Sequence, residues 1–240
     1  MRDSFDAPAL KIIGVAGIPE VTAGANVADL IMENFELYSN DVVVVTQKIV
    51  SKSEGRIVAL DPNRPAEEQI EELIRSESKR ILRQRGSLFI TETNFGYVCA
   101  NAGIDQSNVP EGTVALLPRD PDRSARRIRD RILAKSTKRV GVIISDTFGR
   151  TWRQGVTDVA LGVAGIAAVV DLRGTPDANG RTLNVTQIAL ADELASAAEL
   201  AKPKGGRVGA VVIRGVAAEH FRESSVAGEL VRPYVEDLFR

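Results

Sequence analysis

The sequence predicts a mixed α/β (α+β) fold with two subdomains. Three observations predict it. Apolar β-branched runs such as Val42–Val45 and "GVIIS" read as buried strands. Other segments carry apolar residues at three- and four-residue spacing, the mark of amphipathic helices. The two kinds recur without the strict alternation of a doubly wound parallel sheet. No internal repeat or low-complexity linker interrupts the 240 residues. One domain over residues 1–240 is therefore expected, with a subdomain seam near 204–207.

The elements follow in order. Leu10–Gly17 is a strand closed by glycine, and Asn26–Leu37 is a helix with Asn26 at its N-cap. Asp41–Lys52 opens on four valines and reads as a strand buried on both faces. Pro65–Arg85 reads as one amphipathic helix, with Ile70, Leu73, Ile74 and Ile81 on one face. "SLFITETNFGYVCANAGID" breaks into short strands at its glycines, and "TVALLP" is another strand. In "DPDRSARRIRDRILAK", Asp120 caps a helix, Pro121 takes its first position, and Ile128 and Ile132 face inward. "RVGVIIS" and "GIAAVVDLRG" are strands, and Asp177–Arg181 is a tight hairpin turn. Thr186–Lys202 is an alanine-rich helix, Gly206–Gly215 a strand, and the tail from Glu219 is mixed.

Composition excludes several function classes. Lys and Arg total 31 against 32 for Asp and Glu, so there is no basic excess for general nucleic-acid binding. The single cysteine, Cys99, forms no internal disulfide and fits a reducing compartment. With one histidine, His220, structural zinc sites are excluded, and a Ser-His-Asp triad would have to run through that residue. Any bound metal is expected on oxygen ligands, which favours magnesium, manganese or calcium. "MRDSFDAPALKIIGV" has no apolar signal core, and Val159–Val170 is too short to span a membrane. A soluble cytoplasmic protein is expected.

Neither the P-loop nor the Rossmann glycine fingerprint is present. Chemistry-bearing residues gather elsewhere. In "NAGIDQSNVPEG", Asp105 and Asn108 form either an Asx-rich turn or a metal carboxylate with an amide beside it. In "ISDTFGRTWRQG", Asp146 and Thr147 follow an apolar strand, and Arg150 and Arg153 come next. Active-site groups collect at such strand ends, and guanidinium forks match phosphate oxygens. The alternative is an Asp N-cap before a helix, with arginines on a solvated face. Trp152 either stacks on a planar ring or packs. "GIPEVTAG" is a connecting loop, or a glycine-permitted approach of backbone N–H groups to a phosphate or base. Lys48 and Lys52 share a face of the expected strand. They read as edge-strand gatekeepers or as phosphate contacts. His220 is expected at the surface and Cys99 in packing.

Together these segments resemble one family. "GIPEV", "DVVVVTQKIVSKSEGR", "ITETNFGYVCANAGIDQSNV", "ALLPRDPDRSA", "VIISDTFGRTWRQGVTDVALGVAGI" and "VTQIALADELASAAEL" are similar to the coenzyme F420-0:L-glutamate (gamma-glutamyl) ligases. The resemblance runs from about Gly14 to "EDLFR". It implies a mixed α/β ligase fold and an intertwined homodimer. It also implies GTP-dependent activation of a carboxylate on F420-0, followed by attack of the L-glutamate amine, with later glutamates added through the γ-carboxylate. Two Mn2+ or Mg2+ ions are implied, with K+ assisting. By matching motif, Asp105 and Asp146 would hold divalent metal and Thr147 the second ion. Asn108, Ile18, Pro19, Glu20, Val21, Thr46, Gln47 and Lys52 would contact GTP. Some relatives carry a nitroreductase-like domain after "DLF", and its activity is not expected of these residues.

The chemistry explains the residue types. A carboxylate resists an amine because it is anionic and its oxygens leave poorly, and phosphorylation removes both obstacles. Metal ions then offset the repulsion between triphosphate and substrate carboxylate. Arg150 or Arg153 would neutralise charge growing in the transition state. No general base is evident, and the amine's proton would go to substrate, water or a carboxylate such as Glu20. Two rivals use the same residues: a metal-dependent phosphohydrolase acting on a nucleotide, and a non-catalytic nucleotide sensor.

Overall fold

A five-stranded sheet organises the chain. In this computed structural model, residues 8–203 and 205–239 are described. The elements are β1 (Lys11–Gly14), α1 (Val27–Asn34), β2 (Val42–Thr46), α2 (Gln47–Ser53), β3 (Ile57–Ala59) and α3 (Ala66–Glu77). Then come β4 (Ser78–Arg85), β5 (Leu88–Thr93), β6 (Val98–Ala100), β7 (Thr113–Ala115) and α4 (Pro121–Ser136). They are followed by β8 (Gly141–Gly149), β9 (Val156–Ala164), β10 (Val170–Asp171), β11 (Gln187–Ile188), α5 (Leu190–Glu199), β12 (Ala210–Arg214) and α6 (Val226–Glu229). The large sheet has the order β1-β12-β2-β8-β9, with β2 and β8 parallel and the other pairs antiparallel. Smaller sheets pair β3 with β7, β10 with β11, and β4-β5-β6. The chain is thus mixed α/β.

The valine run of β2 is fully buried because both sheet faces are covered. Val42 and Val44 pack with Ile143, Leu161 and Leu194 on the α5 side. Val43 and Val45 pack with Ile31, Ile128 and Ile132, under α1 and α4. The two expected caps are present. Asn26 accepts from the Ala28 and Asp29 amides, and Asp120 from the Arg123 amide at 2.9 Å. The turn at 177–181 closes as expected, with the Asp177 amide donating to the Arg181 carbonyl at 2.8 Å.

Several expectations are corrected. The strand expected over 41–52 stops at Thr46, and residues 47–53 form α2. Lys48 and Lys52 therefore sit one turn apart on a helix, and β2 is interior, which removes the edge-strand role. The helix expected over 65–85 ends at Glu77, because "SKRILRQR" pairs with β5 instead. The helix expected from Thr186 starts at Leu190, since Gln187–Ile188 is taken up by β11. Of "GIAAVVDLRG" only Val170–Asp171 is strand, and Gly206–Gly215 contributes strand only from Ala210. No helix follows Asp146: β8 runs on to Gly149 and returns as β9, with a register shift between Ile144 and Ser145. The N-cap reading of Asp146 is thereby overturned. Residues 205–209 connect α5 to β12. Lys204, in the expected seam, and residues 1–7, at the start of the segment read as lacking a signal core, lie outside the described residues. No helix among the described residues is long and apolar enough to cross a membrane.

Candidate active site

A cleft of about 930 Å³ opens at the carboxyl end of β2, beside the second half of β8. These strands are parallel neighbours, with Thr46 paired to Ser145, so β2 stops there while β8 runs on to Gly149. Ligands in open α/β sheets gather at such ends. The cleft is lined by Ile18, Pro19, Glu20 and Val21 before α1, by Thr46, Gln47, Lys48 and Lys52, and by Asp105 and Asn108. Ser145, Asp146, Thr147, Phe148 and Asp158 of the hairpin, and residues 205–209, complete it. Side chains from distant segments thus converge, and every residue expected to bind metal or GTP is among them.

Asp105 sits on a short bridge to Ala115, with both backbone bonds formed at 2.8–3.0 Å. Its Oδ1 accepts from the Ser107 amide at 2.6 Å, so the Asx turn exists, and its Oδ2 is 2.8 Å from Lys48 Nζ. Burial alone would raise this carboxyl, but the Lys48 ammonium and Ser107 hold it below its ordinary value. Asp146 behaves oppositely. Burial is the main cause that lifts it to about 7; the Thr147 backbone lowers it, and the charges of Asp105 and Asp158 push it further up. A carboxylate pair with one member that keeps its proton well above the usual carboxylate range is a site short of positive charge.

Thr147 faces the other side of β8. Its Oγ1 donates to Asp158 Oδ1 at 2.7 Å, directly across the hairpin. Asp158 Oδ2 accepts from Ser145 Oγ at 2.9 Å and Lys202 Nζ at 2.5 Å. Lys202 also donates to Ser145 Oγ at 2.9 Å. The ion pair is nearly solvent-free, with side-chain exposures of 7% and 5%. In the sequence Asp158 belongs to the charged stretch that opens with Asp146, but neither it nor Lys202 carries an expected role. Their one signal is a carboxylate inside an otherwise small, apolar strand.

Gln47 is buried, its Oε1 accepting from Ser51 at 2.9 Å, and its Nε2 is a buried donor with no partner among the described residues. It lines the cleft, so a ligand acceptor there would satisfy it. Lys52 and Glu20 form an ion pair at the cleft edge.

Arg150 and Arg153 are not brought into this cleft. They occupy the hairpin tip, where Arg150 Nη2 donates to the Gln154 carbonyl at 2.6 Å. Trp152 is 85% exposed at φ +69°, so it does not pack into the core. Arg56 pairs with Glu77 at 2.6 Å, away from the cleft. The Cys99 thiol is buried and pushed up to about 12, consistent with packing. His220 lies in a half-exposed turn and contributes its carbonyl to the Ala167 amide.

The donors fit a hard divalent ion. Two carboxylates and a hydroxyl line one cavity, and magnesium commonly takes one or two carboxylates, with phosphate and water completing its shell. Among the described residues no three His, Cys, Asp or Glu side chains form a ready-made cage. Such a site would therefore complete its shell with water or ligand oxygens.

The family model for F420-0:gamma-glutamyl ligase matches residues 16–215. The chain belongs to that family. Coenzyme F420:L-glutamate ligase of Methanothermobacter thermautotrophicus is 40% identical, over 96% of this chain and 99% of that protein. The proteins of the same name from Methanopyrus kandleri and Archaeoglobus fulgidus are each 40% identical, over 97% and 96% of this chain and 98% and 96% of their own lengths. The F420-0:gamma-glutamyl ligase family is one of amide-forming enzymes, and both its acidic segments reach the cleft in this member.

Proposed function

We propose that this chain is a GTP-dependent ligase that joins L-glutamate to coenzyme F420-0, and adds further glutamates through the γ-carboxylate. The observation that carries the reading is the shared cleft of Asp105, Asp146 and Thr147. A carboxylate oxygen of F420-0 attacks the γ-phosphorus of GTP, the bond to the β-phosphate oxygen breaks, and GDP leaves. The glutamate amine then attacks the acyl carbon, loses a proton, and inorganic phosphate leaves. Asp105, Asp146 and Thr147 would hold two Mn2+ or Mg2+ ions, which when bound offset phosphate charge. Lys48, Lys52, Gln47, Thr46, Asn108 and the Ile18–Val21 loop would orient GTP. A monovalent cation such as K+ belongs to the same reading.

The whole chain would act as one ligase domain with two subdomains, as an intertwined homodimer. What supports the dimer is apolar surface at the hairpin. Trp152, Val156 and Phe239 are exposed, and a groove of about 1130 Å³ runs past Phe148, Trp152 and Val159. In a dimer Arg150 and Arg153 at the hairpin tip would be free to meet a second copy's phosphate ligand.

The test mixes protein with GTP, Mn2+, F420-0 and L-glutamate, and reads products by mass spectrometry. Product ions spaced by glutamyl units, formed with stoichiometric GDP, support the ligase. Phosphate release from GTP without F420-0 or glutamate would instead indicate the phosphohydrolase.

A further inference from the structure

The Thr147 hydroxyl has one proton and two lone pairs, and a cation ligand must offer a lone pair. What fixes the proton therefore decides whether Thr147 can bind an ion. Asp158 lies opposite Thr147 in the β8–β9 pairing, and its Oδ1 takes that proton at 2.7 Å. Its other oxygen is engaged by two donors, Ser145 Oγ at 2.9 Å and Lys202 Nζ at 2.5 Å. The Asp158 backbone is pinned as well. Its amide donates to Glu199 Oε2 at 3.0 Å, and its carbonyl accepts from Ser196 Oγ at 2.8 Å, both on α5. The carboxylate is thus immobile, charge-compensated and 4% exposed.

We propose that Asp158, held by Lys202, is a positioning residue that turns the Thr147 oxygen lone pairs toward a divalent cation in the cleft. This rests on the metal reading of Thr147 given above. Asp158 itself stays with Lys202 and is not a ligand. Lys202 also begins the segment whose residues 205–209 line the cleft, so one ion pair ties that segment to the hairpin.

Asp158→Asn gives a directional test. Ser145 and Lys202 both donate toward Oδ2, so the amide oxygen must remain on their side. The amide NH2 then faces Thr147 and reverses its hydroxyl, which accepts from the amide and aims its proton into the cleft. A structural defect would not produce that reversal. Outer-shell partners of metal ligands typically cost about 10–100-fold in affinity when removed.

The experiment titrates Mn2+ alone into the full chain by electron paramagnetic resonance, with wild type, Thr147→Val, Asp158→Asn and the double variant. The weaker of two Mn2+ sites should lose about ten-fold in each single variant. The double variant should lose no more than the worse single, because Asp158 acts through Thr147. Thr147→Ser, which keeps the hydroxyl, should bind within about three-fold of wild type. Melting curves without metal check folding. Should Asp158→Asn fail to fold, Asp158→Glu keeps the Lys202 pair, displaces the acceptor by one methylene and carries the same cycle. Additive losses would make Asp158 an independent contributor and overturn the inference, as would unchanged Mn2+ binding in Asp158→Asn. Wild-type protein that binds no Mn2+ would instead overturn the metal reading and this inference with it.

Discussion

Lys48 Nζ lies 2.8 Å from Asp105 Oδ2, and bonds the Ser107 carbonyl and hydroxyl at 2.7 and 3.0 Å. An ammonium therefore sits on a carboxylate proposed to hold a divalent ion, and the two cations compete for it. Lys48→Met should strengthen Mn2+ binding in the absence of nucleotide by about 3–10-fold, since a like charge a few ångströms away is removed. The same variant should slow turnover at least about ten-fold, because the displaced lysine would otherwise meet phosphate. Calorimetry and steady-state kinetics on one preparation read the opposite signs. Weaker Mn2+ binding in Lys48→Met would contradict the competition.

Asp146 gives a pH dependence of definite sign. Its folded-state pKa is raised from 3.8 to about 7, so the folded chain holds this proton more tightly than the unfolded chain. Stability then falls as pH rises from about 4 through about 7. Asp146→Asn removes the loss, and should gain up to about 4 kcal/mol over wild type at pH 8 and close to nothing at pH 4 in metal-free protein. Asp146→Ala should abolish turnover with the fold retained. Mn2+ added to wild type at pH 8, where Asp146 is already mostly ionised, should raise the melting temperature, and added to Asp146→Asn should not. Differential scanning calorimetry at pH 4 and 8, with and without Mn2+, gives the four values.

The reading from sequence succeeded where one face or one cap decides the structure. Four valines demand two covered sheet faces, and Asn26 and Asp120 have side chains that reach their own helix amides. It failed where neighbours decide. "TQKIVSK" continues a strand pattern, yet it turns into α2 at the cleft, where β8 leaves β2 and runs on paired with β9 alone. Arg80 and Arg83 look helical beside α3, but β5 offers a ladder and Glu92 an ion-pair partner at 2.7 Å. At the site, Asp105, Asp146 and Thr147 came through motif resemblance. The pairing of Asp158 with Thr147 and Lys202 escaped because it rests on a cross-strand register and an ion pair that no local spacing encodes.

Arg214 makes a two-pronged ion pair with Asp41, at 2.7 Å on each oxygen, and its guanidinium lies 4.1 Å from the centre of the Tyr38 ring. Asp41 is completely buried. Arg214→Met should cost about 3 kcal/mol, because it strands that carboxylate at the β12–β2 edge of the loop before β2. Urea unfolding should show a lower midpoint at unchanged slope. A loss below about 1 kcal/mol would mean water reaches Asp41 freely.

Gly162 in β9 leaves no room for a side chain. A Cβ there would stand 2.2 Å from the Pro121 carbonyl carbon and 2.6 Å from the Asp122 amide nitrogen. Both are backbone atoms at the start of α4, where the Asp122 carboxylate accepts from the Val163 and Val226 amides. Gly162→Ala should therefore lose about 3 kcal/mol by forcing helix and sheet apart. A variant melting within two degrees of wild type, by circular dichroism, would show that α4 can shift at small cost.

The pleat of β8 has a consequence for reaction geometry. Asp146 and Thr147 are adjacent in sequence and point to opposite sides of β8; Thr147 bonds Asp158, whereas Asp146 feels the charge of both Asp105 and Asp158. Two ions held this way would be separated by a stretch of polypeptide backbone, and their spacing would follow from covalent geometry that no rotamer change can alter. Slipping the hairpin by a single residue would trade the two sets of donors. The register irregularity at Ile144–Ser145 would thus decide which ion each donor serves in the proposed metal site.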